Sequence, residues 1–104
     1  MTDIWEGFAD SYDADARLTI LKALSDESGN SLNSNLLNET LKSFGFRRGR
    51  EFLLTQLSWL ETQAGAVRLR RIGTVIVAEL TQKGADHLCR DALIVGIKPP
   101  SLPR

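Results

Sequence analysis

Across 104 residues the chain has one cysteine, one histidine and three prolines, and no apolar run near the roughly 20 residues that a membrane-spanning helix needs. Cys89 has no partner for an internal disulfide, which points to a reducing compartment, the cytoplasm. The opening Met1-Thr2-Asp3-Ile4-Trp5-Glu6 is acidic and lacks the basic-then-apolar layout of a secretory signal. His87 and Cys89 sit two residues apart, a spacing that sends them to different faces of a helix, so no metal site is expected. A histidine-anchored triad, paired carboxylates and a glycine-rich phosphate loop are all missing, which argues against an enzyme and against a cofactor. His87 itself is expected at the surface or an interface, and Cys89 as a small buried hydrophobe on the same helix.

What is present is ordinary globular composition, 42% hydrophobic and 25% charged, enough for one domain and one modest core. The net charge of zero hides an uneven distribution. Residues 1–46 hold eight Asp or Glu against Arg17, Lys22 and Lys42, a balance of −5; residues 47–104 hold ten Lys or Arg against five acids, a balance of +5. Such a split suits a polyanion-binding side, and it equally suits two halves that attract each other in a fold or dimer.

Hydrophobic spacing divides the chain into an acidic N-terminal arm (1–12), a folded domain (13–93) and a proline-rich C-terminal tail (94–104) expected to be extended. Ile4, Trp5, Phe8 and Tyr12 fall at helical spacing within the arm. Asp13 or Asp15 can cap a helix to about Ser25 whose buried face is Ala14, Leu18, Leu21 and Leu24, with Ile20 beside them. Gly29 or Asn30 suits positive φ in the loop that follows, and Ser31-Leu32-Asn33 can add a short rung to a small sheet. Ser34 or Asn33 caps a second helix with a stripe of Leu36, Leu37, Leu41 and Phe44, stopped by Gly45.

A third helix is predicted from about Arg48 to Gln63, with Leu53, Leu57, Leu60 and Ala64 facing the core and Gly65 ending it. From Ala66 the period changes to two. Val67 and Leu69 alternate with Arg68 and Arg70, Gly73 marks a tight connection, and the β-branched run Thr74–Leu80 returns as a partner strand. Thr81 caps a last helix to about Leu93. The resulting order is helix, short strand, helix, helix, β-hairpin, helix, mainly α with a small β-sheet.

The stretch Phe52–Val67, with its Leu57-Ser58-Trp59-Leu60 core and Gly65-Ala66-Val67 exit, resembles the recognition helix and corner of bacterial winged-helix regulators. Leu80-Thr81-Gln82-Lys83-Gly84 resembles the Leu-Thr-x-Lys-Gly entry to the helix after the wing. A narrower likeness, carried by Leu57–Glu61 and the ending Ile94-Val95-Gly96-Ile97-Lys98-Pro99-Pro100-Ser101, is to small winged-helix proteins of Mu-like transposable phages and prophages, often described as ArsR-like. The resemblance implies a winged helix-turn-helix and a DNA-binding, transcription-regulator-like role. The chain departs from the metal-sensing ArsR-like pattern, lacking its clustered Cys and His. Glu51, Phe52 and Leu54 also stand where small polar or basic groups would suit a phosphate-lined groove.

Under that reading Arg47, Arg48 and Arg50 sit at the end of the third helix that enters a major groove, and Thr55, Gln56 and Ser58 lie on its outward side for base contacts. Arg68 and Arg70 face outward on the wing and Arg71 reaches the backbone or minor groove from its tip. Six such arginines on phosphates imply a log–log salt slope of roughly −5. A homodimer through Ile4, Trp5, Phe8, Leu88, Leu93 and Ile94 fits a two-fold operator. The rival reading is a winged-helix protein-interaction module in phage assembly or as an adaptor, with the arginines pairing to Asp3, Glu6, Asp10 or Asp13.

Overall fold

A computed structural model describes the backbone of residues 4–101 and the side chains of residues 10–101. The elements run α1 (Ile4–Ser25), β1 (Ser31–Asn33), α2 (Ser34–Ser43), α3 (Arg50–Thr62), β2 (Val67–Ile72), β3 (Val75–Leu80) and α4 (Gln82–Leu88). Among the described residues, four helices therefore stand with one antiparallel sheet of order β1-β3-β2, β3 in the middle. No described helix is long and apolar enough to cross a membrane.

The sheet follows from the change of period after Ala66. Val67 pairs Leu80 and Ile72 pairs Val75, so Gly73-Thr74 alone makes the hairpin turn, with Gly73 at φ 63°. Leu32 pairs Ala78, which puts the three-residue β1 on the other edge of β3. Asn30 and Gly29 both take positive φ on the way into it. Asn33 is the cap of α2, its Oδ1 accepting from the Leu36 N–H at 2.9 Å.

α1 lies against α2, α3, α4 and β3. Being enclosed on several sides, it buries Ala16, Leu18, Ile20, Leu21 and Leu24, a broader face than the expected single stripe. Ala14 is only half-buried, and the fully buried Ala16 was not among the expected core positions. Leu37 and Leu41 of α2 join Leu53, Leu57 and Leu60 of α3 in the same core, with Ala66, Val67 and Ala78 of the corner and sheet. Fully burying each such aliphatic side chain contributes about 1.5–3 kcal/mol.

Several expectations change. No helix starts at Asp13: α1 is continuous from Ile4, because nothing between Trp5 and Ser25 forces the chain out of helix. On α2, Leu36 is 51% and Phe44 67% exposed. Ser34, Leu37 and Leu41 make its buried line, and Phe46, beyond the Gly45 stop, supplies the aromatic instead. Phe46 and Phe52 both meet the Tyr12 ring edge-on, at centroid distances of 5.1 and 5.6 Å.

α4 stops at Leu88 rather than near Leu93, and Arg90 takes φ 63°. The cause is the segment that follows. Residues 94–101 are not an extended tail; they fold back onto α1 and α4, burying Ile97 and Pro100. The Lys98 N–H donates to Ala14 O at 3.1 Å, and the Arg90 guanidinium donates to Pro100 O.

Candidate functional site

The first arginine cluster brackets the start of α3. Gly49, at φ 90°, is the residue before the helix, and no side chain caps it. Arg47 and Arg48 lie in the exposed turn ahead of it, so α3 begins at Arg50 rather than Arg48. The Arg48 guanidinium stands over Phe52 and Tyr12, 5.1 and 5.7 Å from the ring centroids, which orients it without neutralising it. Arg50 is held differently. Its Nη1 donates to Asn35 Oδ1 at 3.0 Å and to Ser34 Oγ at 3.4 Å, tying the start of α3 to the start of α2.

The second cluster is on the hairpin. Val67 is buried and Leu69 half-buried on one face of β2, while Arg68 and Arg70 are exposed on the other. Arg71 is exposed too, one residue short of the turn-flanking Ile72. Arg68 lies opposite Glu79, its Nη1 3.9 Å from Oε1, an exposed pair that contributes little. Glu61 near the end of α3 accepts the Leu69 N–H on Oε2 at 2.8 Å and so ties β2 to the helix.

Along α3, Glu51, Thr55, Ser58 and Thr62 are exposed. Gln56 is not. It is 2% exposed, because at three residues from Leu53 and four from Leu60 it lies on the buried stripe and not opposite to it. Its Oε1 accepts from Arg17 Nε at 2.7 Å. Arg17 also donates from Nη1 to Gly96 O at 2.9 Å and lies 3.8 Å over the Trp59 ring, so one side chain fastens α1, α3 and the returning C-terminal segment. Burial pulls the Arg17 guanidinium below the usual arginine value, opposed by Asp13 and Asp10 on α1. The helical spacing of Gln56 could have placed it inside; the long-range role of Arg17 left no local signal.

His87 and Cys89 reverse the expected arrangement, with His87 fully buried and Cys89 exposed. The His87 ring is bonded on both sides: Nδ1 accepts the Ile94 N–H at 2.9 Å, and Nε2 faces Lys98 O at 3.0 Å. Those bonds give the ring a donor Nε2–H and an acceptor Nδ1, the neutral tautomer. Its place is structural, a clamp on the turn between α4 and the returning segment.

Of the expected dimer contacts, Leu88 and Ile94 pack against the chain's own core, while Leu93 is 48% exposed; Ile4, Trp5 and Phe8 lie outside the residues whose side chains are described. Among the described residues, none of the six arginines pairs with a carboxylate of α1, where Asp15 instead meets Lys98 at 3.9 Å. In the chain the two clusters flank α3, Arg47, Arg48 and Arg50 at its start and Arg68, Arg70 and Arg71 on the strand that follows it.

No family model matches the chain. It is similar to an uncharacterized protein of Haemophilus influenzae, with 35% identity over 77 residues that cover 73% of this chain and 74% of that protein. The chain belongs to the same family as that protein.

Proposed function

We propose that this member of the family is a winged-helix DNA-binding protein that acts as a transcription-regulator-like factor, with α3 against the major groove and the β2–β3 hairpin as the wing. The resemblance to Mu-like phage proteins adds a phage or prophage setting to the proposal. The order helix, strand, helix, helix, hairpin, helix, with β3 between β1 and β2, supports it.

The observation that carries the reading is the pair of exposed arginine clusters that flank α3, neither paired, among the described residues, with a carboxylate of α1; Asp3 and Glu6 lie outside the residues whose side chains are described. Basic side chains at a helix N-terminus oppose the macrodipole and cost stability unless an anion lies beside them. A phosphate there resolves the conflict, and the uncapped first turn of α3 offers it N–H groups as well. The two-fold pairing proposed with this role would use Leu93 and Val95, the latter 94% exposed, in place of Leu88 and Ile94.

Since Arg50 is engaged by α2, five arginines remain for phosphate: Arg47, Arg48, Arg68, Arg70 and Arg71. At about 0.9 per contact the expected log–log salt slope is roughly −4.5, a fall of roughly 500-fold in affinity from 50 to 200 mM salt. Titration of a labelled duplex at those two concentrations tests this, with Arg47→Ala/Arg48→Ala and Arg68→Ala/Arg70→Ala beside the wild type. Each double variant should lower the slope by about 1.8. Absence of binding at low salt, or identical slopes in all three proteins, would refute the proposal.

A further inference from the structure

We infer that the DNA contact is sequence-independent: the free arginines, on the turn before α3 and on the hairpin after it, serve as phosphate contacts, and α3 presents no side chain able to read a base pair in its middle. The inference rests on the DNA-binding reading above and concerns which duplexes the protein prefers. Direct readout in the major groove depends on paired donors and acceptors, chiefly Arg or Lys on guanine and Asn or Gln on adenine. α3 carries one arginine and one glutamine within its helical span, and both are turned toward other helices, Arg50 through its Nη1 toward α2 and Gln56 toward α1. Arg50 is bonded to Asn35 and Ser34, and Gln56 is buried with its carbonyl oxygen held by Arg17. Gln63 stands at the C-terminal cap, the end away from the groove in this docking mode.

The exposed face has little else to offer. The Thr55 hydroxyl donates to Glu51 O at 2.9 Å and the Thr62 hydroxyl to Ser58 O at 2.8 Å, so the proton of each is spent within the helix. Glu51 brings a negative charge to the first turn, which repels phosphate and limits how deeply α3 seats in the groove. Ser58 alone is left with a free donor, and a single hydroxyl bonds to any base. One bidentate pair separates a right base from a wrong one by roughly 5- to 150-fold; without such a pair, duplexes of equal length should bind nearly alike.

The test is selection of the full chain against a pool of duplexes with a randomised central segment at low salt, followed by direct titration of enriched and unenriched duplexes. The expected result is an enriched pool without a positional consensus and dissociation constants within about threefold of each other, since no bidentate contact discriminates. Arg68→Ala/Arg70→Ala should weaken all duplexes by the same factor. A positional consensus with more than tenfold discrimination would overturn the inference while leaving DNA binding intact. Failure to bind any duplex would overturn both.

Discussion

Replacing Gly84 by alanine sets local and tertiary forces against each other. Gly84 lies in the first turn of α4, its N–H accepted by the Thr81 hydroxyl at 3.2 Å. On helix propensity alone Gly→Ala should stabilise, by up to about 1 kcal/mol. The surroundings dictate the opposite sign. A methyl group at this position would collide with the Ala66 carbonyl oxygen and come within 2.7 Å of Leu80 Cδ1. The Leu80 side chain can turn aside; the Ala66 carbonyl cannot. That carbonyl accepts the Thr81 N–H at 3.0 Å, and the Ala66 N–H is itself bonded to Leu60 O at 2.8 Å, so moving it disturbs the corner between α3 and β2. Because the collision is with backbone, the upper part of the overpacking range applies, about 2–3 kcal/mol, leaving a net loss of about 1–2 kcal/mol after the propensity gain. For a domain of this size that is a fall in Tm of roughly 4–16 °C. Thermal and urea unfolding followed by far-UV circular dichroism would measure it. Gly65→Ala provides the comparison, since at φ 63° it meets only backbone strain and a Lys83 methylene at 3.7 Å, costing about 1 kcal/mol. A Gly84→Ala protein as stable as the wild type, or more so, would refute the packing of α4 on the Ala66 corner.

Three other substitutions probe the same framework. Arg17→Ala strips the buried Gln56 of its partner and frees Gly96 O, so a loss of about 2–3 kcal/mol is expected, with a change in tryptophan fluorescence as Trp59 loses its covering guanidinium. His87→Ala leaves the Ile94 N–H and Lys98 carbonyl unpaired around a cavity and should lower stability by about 2–4 kcal/mol; faster limited proteolysis within residues 94–101 would locate the damage. Leu37→Ala should cost about 2–5 kcal/mol while Leu36→Ala changes stability by less than about 0.5 kcal/mol, and equal losses at the two sites would refute the observed facing of α2.

Local chemistry was enough to mark the elements. The change from helical to alternating period at Ala66, the glycines at 45, 65 and 73 and the caps at Asn33 and Thr81 each act within a few residues, so they read the same in a sequence as in a fold. The arginine clusters were legible for the same reason, and alternation alone placed Arg68 and Arg70 opposite Val67. Which side of an element meets a neighbour is not local. Leu36 and Leu37 have the same apolarity, and only the position of α3 and β3 decides that Leu37 goes inside. Arg17 and Gln56 are 39 residues apart, His87 and Lys98 eleven, and no periodicity announces either bond. Sequence alone determined the order of helices and strands and where positive charge gathers, because propensity, capping and turn chemistry are short-range. Only the tertiary structure decided that Gln56 is buried on Arg17 and Arg50 bonded to α2, that His87 is a clamp and that residues 94–101 close over the core. Each of those results depends on partners that the fold, and not the chain's order, brings within bonding distance.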